Sequence, residues 1–231
     1  MREFRFAFQK SIPILVTYIF LGIGYGVLMA GAGYGPVYTG LSSLFLIAGS
    51  LQYIMVPLLA SGASVLTFAV MALFVNARHI FYGVGLIEEF RSMGWRRFYM
   101  IYALTDETFS LLSSLRYPPD LDRHKAAFCI AMLDHSYWVT GSVLGACAGR
   151  YLSFDLRDAG FAATAFYLVM VVEHWKRRPS KVPFLVAAVS AAVFLAVLGK
   201  DAFLIPTLVC TTAALLLLRG GVDRKEGFPN A

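Results

Sequence analysis

Apolar residues come in long blocks along this chain, not in the short periodic stripes of a helix or strand that faces water on one side. A bilayer core of about 30 Å takes roughly 20 mostly apolar helical residues per crossing. Eight stretches approach that length: 12–33, 40–60, 64–87, 98–115, 126–149, 159–173, 182–199 and 202–218. The strands of a membrane barrel would alternate apolar and polar residues, and these blocks do not. The pattern predicts an all-α, polytopic helical membrane protein with about eight transmembrane segments.

Composition agrees with this reading: of 231 residues, 58% are hydrophobic and 15% charged. Connections between the blocks are short, so no soluble catalytic domain fits between them. The basic N-terminus MREFRFAFQK precedes an apolar stretch without a small-residue cleavage site, and it is read as the start of the first helix. Cys129, Cys147 and Cys210 fall in separate segments without C-x-x-C spacing and read as packing residues.

The net charge of +6 is explained by topology. With eight crossings and an inside N-terminus, 13 of the 20 basic residues fall in inside loops. Six fall outside: Arg91, Arg96, Arg97, Arg150, Arg157 and Lys200. This is the asymmetry of the positive-inside rule, so both termini are expected in the cytoplasm and no nucleic-acid partner is implied. The basic cluster Trp95-Arg96-Arg97 fits least well, because this count puts it outside.

A faint repeat runs through the chain. Tyr18, Gly22 and Gly26 recur as Tyr137, Gly141 and Gly145 at an offset of 119, and Gly40 recurs as Gly160. A duplication would give halves 11–115 and 126–218, parallel because each holds an even number of segments. Glycine at four-residue spacing, a common packing device of membrane helices, is the other explanation. In repeat transporters, short or Gly/Pro-interrupted segments in matching positions mark the binding site. Segment 2 is interrupted by Gly49 and Pro57, with Gln52 beside the break, and its counterpart, segment 6, has only 15 residues before Glu173. A proline kink filled by neighbouring helices would look the same.

Ionisable residues inside the blocks are the candidate chemistry. "ALFVNARHIFYG" (72–83) sets Asn76, Arg78 and His79 in the middle of segment 3. A charge at that depth costs about 2.5 to 3.5 kcal/mol and calls for a partner. Segment 4 offers Asp106 and Glu107 near its centre, so an Arg78–Asp106 pair is expected. Arg78 or a free helix N-terminus would receive an anionic group of a substrate. His79, Asp106 or Glu107 would carry a coupling proton, His79 having an unperturbed pKa of about 6.5. A purely structural ion pair is the competing explanation. In "MLDHSYW" (132–138), Asp134 and His135 could extend a proton path while Tyr137 and Trp138 pack on an apolar substrate; an interfacial aromatic girdle is the alternative. Glu173-His174-Trp175 reads as an interface anchor.

The stretches "SIPILVTYIFLGIGYG" (11–26), "AGSLQY" (48–53), "NARHIFYG" (76–83), "LTDETF" (104–109) and "WVTGSVLGACAG" (138–149) together resemble the AzlC family, also called AzlC/YgaZ. Its members are the large subunits of bacterial branched-chain amino acid exporters. The resemblance covers about Ser11 to Trp175, and its specific part is R-H-x-x-Y-G followed by T-D-E. "TAFYLVMVVEHW" (164–175) is similar to one branch of the family. Asn76 stands where some relatives carry an acidic residue, and Thr164 where others carry proline.

The resemblance implies export of leucine, isoleucine, valine or their analogues across a bacterial inner membrane, working with a small membrane partner of the AzlD type. On this reading Gly49, Gln52, Asn76, Arg78 and Trp138 would bind a small hydrophobic amino acid. His79, Asp106, Glu107 and Asp134 would serve proton coupling, and no cofactor or metal is implied. A membrane-embedded enzyme is the rival class, since Glu88, Glu89, His79, His135 and His174 are residue types that intramembrane metalloproteases use. No H-E-x-x-H and no G-x-S-x-G occurs, and the paired glutamates lie at a helix end, so no enzyme is expected. A channel or an accessory subunit is a third possibility.

Overall fold

The computed structural model describes residues 1–151 and 180–218 together with 168, 171, 172, 175 and 176. The side chains of 78, 80, 81, 83–85, 200–202, 204 and 205 are outside that set. Most of segment 6, including Glu173, lies outside the described residues, as does His174. All regular structure among the described residues is helical. Two units form, Met1–Ala163 and Thr164–Ala231.

In the second unit, α8 (Val182–Ala202) and α9 (Leu204–Leu217) correspond to the last two apolar segments. Gly199, at φ 72°, kinks α8 in the left-handed region that only glycine enters without cost. Up to that kink α8 is long and apolar enough to cross a membrane.

The first unit is built on α1 (Arg2–Gly31) and α7 (Arg123–Tyr151), each long enough to cross a membrane. They run parallel in close contact, because glycines remove the side chains between them. A Cβ on Gly26 would lie 2.1 Å from the Ser142 carbonyl oxygen, and one on Gly145 would lie 2.1 Å from that of Ile23. Gly22 meets Gly141 and Ala30 meets Gly149, so the register holds at one offset over two turns. α7 starts where the Lys125 backbone N–H donates to Asp122 Oδ1 at 3.1 Å, which holds that exposed carboxyl below its ordinary pKa.

Around this pair the chain does not simply cross back and forth. α2 (Pro36–Phe45) starts beside Arg150, at the far end of α7, and descends past Tyr25, whose hydroxyl lies 2.7 Å from Ser42 Oγ. The helix stops at Leu46–Ala48. α3 (Gly49–Ala60) begins against Trp138 and returns the way α2 came, the Tyr53 hydroxyl donating to the Leu21 carbonyl at 2.6 Å. α4 (Val65–Arg91) confirms the reversal: its C-terminal end is held at the start of α7, where Arg123 makes two bonds of 2.7 and 2.8 Å to Glu89. A helix of 27 residues spans about 40 Å, so α4 starts at the opposite end, where α3 must finish.

A second reversal enters from the other side. α5 (Arg96–Tyr102) climbs from the base of α7, with Arg96 over Phe128 and Tyr99 bonded to His135. At Ala103–Thr105 the helix breaks, and α6 (Asp106–Ser114) descends, its Thr108 bonded to Asp134. The loop after α6 reaches the start of α1, where Tyr117 meets Phe6 and Asp120 pairs with Arg2.

Segments 2 and 4 are therefore two re-entrant helical hairpins, entering from opposite ends with their tips near the middle of α1 and α7. Non-helical backbone survives at membrane depth only when covered by protein, and Ile47, Ala103, Leu104 and Thr105 are all buried. The interruption of segment 2 lies just before Gly49. Pro57 does not interrupt it: the residue sits inside α3, where it removes one backbone bond and leaves the helix continuous. Segment 4, expected as one helix with Asp106 and Glu107 at its centre, is divided, and both acids stand in the first turn of α6. With these reversals Arg91, Arg96 and Arg97 lie at the same end as the N-terminus, not at the opposite face as expected.

Candidate functional site

The two hairpin tips meet the facing sides of α1 and α7 in a buried polar cluster. Gln52, fully buried in the first turn of α3, spans it. Its Nε2 donates to Ser43 Oγ of α2 at 3.2 Å, and its Oε1 accepts from the Trp138 indole N–H at 2.7 Å. The Trp138 ring stacks on Tyr25, meets Tyr18 edge-on, and covers Gly49 so closely that a Cβ there would lie 3.0 Å from it. Gly49 is thus a packing requirement as well as a helix start. Three residues expected to bind substrate, Gly49, Gln52 and Trp138, are brought together.

One helical turn along α7 from Trp138 stands Asp134, 1% exposed. Its Oδ2 accepts from the Thr108 hydroxyl at 2.8 Å, and its Oδ1 has no hydrogen-bond partner among the described residues. Thr105 caps α6, its hydroxyl oxygen accepting from the Thr108 backbone N–H. The Tyr18 hydroxyl lies 2.6 Å from Thr105 Oγ1 and donates to Glu107 Oε2 at 2.8 Å. Glu107 and Asp134, both expected in proton coupling, therefore join one network through Tyr18, Thr105 and Thr108. The hairpins also touch directly, the Tyr102 hydroxyl donating to the Leu44 carbonyl at 2.6 Å.

On the α4 side, His79 Nε2 lies 3.8 Å from Asp106 Oδ1. Asn76, one turn earlier, is partly buried, and its Oδ1 has no hydrogen-bond partner among the described residues. The Arg78 side chain, and with it the expected Arg78–Asp106 pair, lies outside the described residues. Among the described residues no three His, Cys, Asp or Glu side chains converge as metal ligands.

The acids stand out in the sequence as charges in apolar surroundings, whereas the hydroxyls that organise them do not, Tyr18 carrying only the repeat pattern. Thr105 carried a readable signal, since a threonine followed by two acids is an N-cap with its first turn, the acids favoured there by the helix dipole.

Two discontinuous helices converging on a buried polar centre, among apolar helices of which two described ones are long and apolar enough to cross a membrane, define a polytopic helical membrane protein. A family model described as "AzlC protein" matches residues 13–152, and the chain belongs to the AzlC family. It is 30% identical to the "Branched-chain amino acid transport protein AzlC" of Bacillus subtilis (strain 168), over 96% of this chain and 88% of that protein. It is 37% identical to an "Uncharacterized membrane protein" of Haemophilus influenzae, over 87% and 83%. To the "Inner membrane protein YgaZ" of Escherichia coli (strain K12) it is 26% identical, over 87% and 82%. No solved structure matches the chain.

Proposed function

We propose that this chain is the large subunit of a secondary transporter that exports branched-chain or other hydrophobic amino acids, linked to proton movement and working with a small membrane subunit of the AzlD type. The observation that carries the reading is the meeting of two opposed hairpin tips at a buried cluster of Gln52, Trp138, Glu107 and Asp134. A merely structural bundle gains nothing by placing acids there, because buried ionisable groups are costly and mark ion and substrate paths. The name of the Bacillus subtilis relative supports the substrate class. Gly49, Gln52, Asn76, Arg78 and Trp138 line the substrate path, and the coupling proton rides on the acids and the His79–Asp106 pair.

The same reading places the protein in the bacterial inner membrane with its N-terminus in the cytoplasm. It is supported by the basic residues of the first unit. Arg2, Arg5, Lys10, Arg91, Arg96, Arg97, Arg116, Arg123 and Lys125 gather at or near the end where α1 begins, against Arg150 at the other. It also takes 11–115 and 126–218 as parallel repeats, supported by the parallel α1–α7 contact in which Gly22 meets Gly141. Efflux of radiolabelled leucine from loaded cells, with and without the small subunit, tests the function. The full chain with its partner should accelerate efflux, and Asp106→Asn should slow it at least tenfold or flatten its pH dependence. Unchanged efflux and pH dependence in that variant would remove Asp106 from coupling.

A further inference from the structure

Hydroxyl groups form an unbroken line between Glu107 of α6 and Asp134 of α7. Glu107 Oε2 lies 2.8 Å from the Tyr18 hydroxyl, which lies 2.6 Å from Thr105 Oγ1. Thr105 Oγ1 lies 3.0 Å from Thr108 Oγ1, which lies 2.8 Å from Asp134 Oδ2. All are direct contacts, too short to admit a water between the oxygens. Tyr18, Thr105, Thr108 and Asp134 are buried.

The hydrogens along this line can be counted. A hydroxyl carries one hydrogen to donate and an ionised carboxylate none, so three hydroxyls bring three hydrogens to four contacts. With both carboxylates ionised, Tyr18 donates to Glu107 and Thr108 to Asp134. The single hydrogen of Thr105 is then left to fill two contacts, at 2.6 Å to Tyr18 and 3.0 Å to Thr108. One pair of oxygens would face each other with nothing between them, and a dry site does not screen that repulsion. The Thr108 backbone N–H, which donates to Thr105 Oγ1 at 3.3 Å, leaves the count unchanged because its hydrogen lies in a different contact. A fourth hydrogen completes the line, and it comes from an end: a proton on Glu107 Oε2 or on Asp134 Oδ2. A proton on the other oxygen of either carboxyl fills none of the four contacts.

We propose that Glu107 and Asp134 share one proton through Tyr18, Thr105 and Thr108, and that this line carries the coupling proton between the α6 tip and α7. With the proton on Asp134, Oδ2 donates to Thr108, Thr108 to Thr105, Thr105 to Tyr18 and Tyr18 to Glu107. Each hydroxyl accepts one hydrogen and passes on its own, so every donor reverses and the proton ends on Glu107 Oε2. One O–H bond breaks at Asp134, one forms at Glu107, and no charge stays on a hydroxyl. The two acids therefore titrate as a pair. This rests on the reading of the chain as a proton-linked transporter and gives its proton a path.

Other titratable groups surround the ends of the line. Asp106, next to Glu107 in the first turn of α6, pairs with His79 of α4. His135, next to Asp134 on α7, lies against Tyr99 and Tyr102, and Tyr137 of the same helix bonds Ser11 of α1. Variants that delete a hydroxyl from the middle of the line leave all of these groups in place.

The chain, with any partner subunit that stays bound, is reconstituted in vesicles loaded with radiolabelled leucine. Net efflux driven by a pH gradient is compared with exchange against external leucine at equal pH. Exchange returns the protein loaded at every step and does not require the proton to be passed on, whereas net efflux does. Tyr18→Phe and Thr108→Val each remove one hydroxyl and nearly keep the side-chain volume. Each should lower net efflux at least tenfold more than exchange. Thr108→Ser, which keeps the hydroxyl, should hold the ratio of the two fluxes within about twofold of that of the unaltered chain. Equal loss of both fluxes in Tyr18→Phe and Thr108→Val, loss of neither, or a Thr108→Ser as impaired as Thr108→Val overturns the route while the transport reading stands. Exchange by the unaltered chain without pH-driven efflux overturns the proton linkage and the route together. No leucine flux of either kind overturns the transport reading itself.

Discussion

A Cβ added at Gly145 would meet the Ile23 carbonyl oxygen at 2.1 Å, which neither helix can relieve without moving its backbone. Gly145→Ala is expected to lower stability by about 1–3 kcal/mol, the usual range for overpacking a close contact, read as an earlier unfolding midpoint in detergent. Gly40→Ala, facing only a Val143 methyl at 3.0 Å, should cost clearly less. At the polar centre, Trp138→Phe keeps most of the ring but strands the Gln52 carbonyl oxygen in a dry site. About 1–3 kcal/mol should be lost, and adding Gln52→Leu should recover part of it by removing the orphan. Gln52, Trp138 and Asp134 were legible in the sequence as polar residues in apolar surroundings. Their partners were not, because a bond such as Trp138 to Gln52 joins residues 86 apart and leaves no local mark. The partner expected for Asp106 is Arg78, whose side chain lies outside the described residues; the described contact of Asp106 is with His79.

Helix existence was readable from hydropathy, and helix direction was not. Residues 36–60 and 96–114 each contain about as much apolar chain as one crossing, whether it runs through the bilayer or goes in and comes back. Length measures the total and is blind to a reversal. The break in segment 2 is visible near Gly49, while that in segment 4 is hidden, because Asp106 and Glu107 read equally well as charges inside a continuous helix. Thr105 tests the corrected reading. Thr105→Ala removes the cap of α6 and one of the two partners of the Tyr18 hydroxyl, and should lower the thermal midpoint by an amount equivalent to about 1–2 kcal/mol. Thr105→Ser, which keeps the oxygen, should lose less than half of that.

At the scale of the whole first unit, the reversals settle the mismatch over Trp95-Arg96-Arg97. Eight simple crossings put this cluster on the face opposite the N-terminus, but a re-entrant α2–α3 makes α4 the next full passage after α1. The cluster then joins the other basic residues at the base of α1 and α7, where Arg123 and His124 also lie. The charge pattern and the bonding pattern thus give one topology. Hairpins entering from opposite ends have only mid-depth in common, and the buried cluster of Gln52, Trp138 and Asp134 lies there.

The most direct test of the opposed hairpins is the sidedness of single cysteines, placed in a chain whose Cys129, Cys147 and Cys210 are replaced by serine and labelled in intact cells with a membrane-impermeant maleimide. Ala32→Cys and Asp120→Cys mark the two faces. Ser61→Cys should label with Ala32→Cys, and Ser92→Cys with Asp120→Cys. If Ser61→Cys instead labels with Asp120→Cys, and Ser92→Cys with Ala32→Cys, segments 2 and 4 cross the membrane and the opposed-hairpin architecture is wrong.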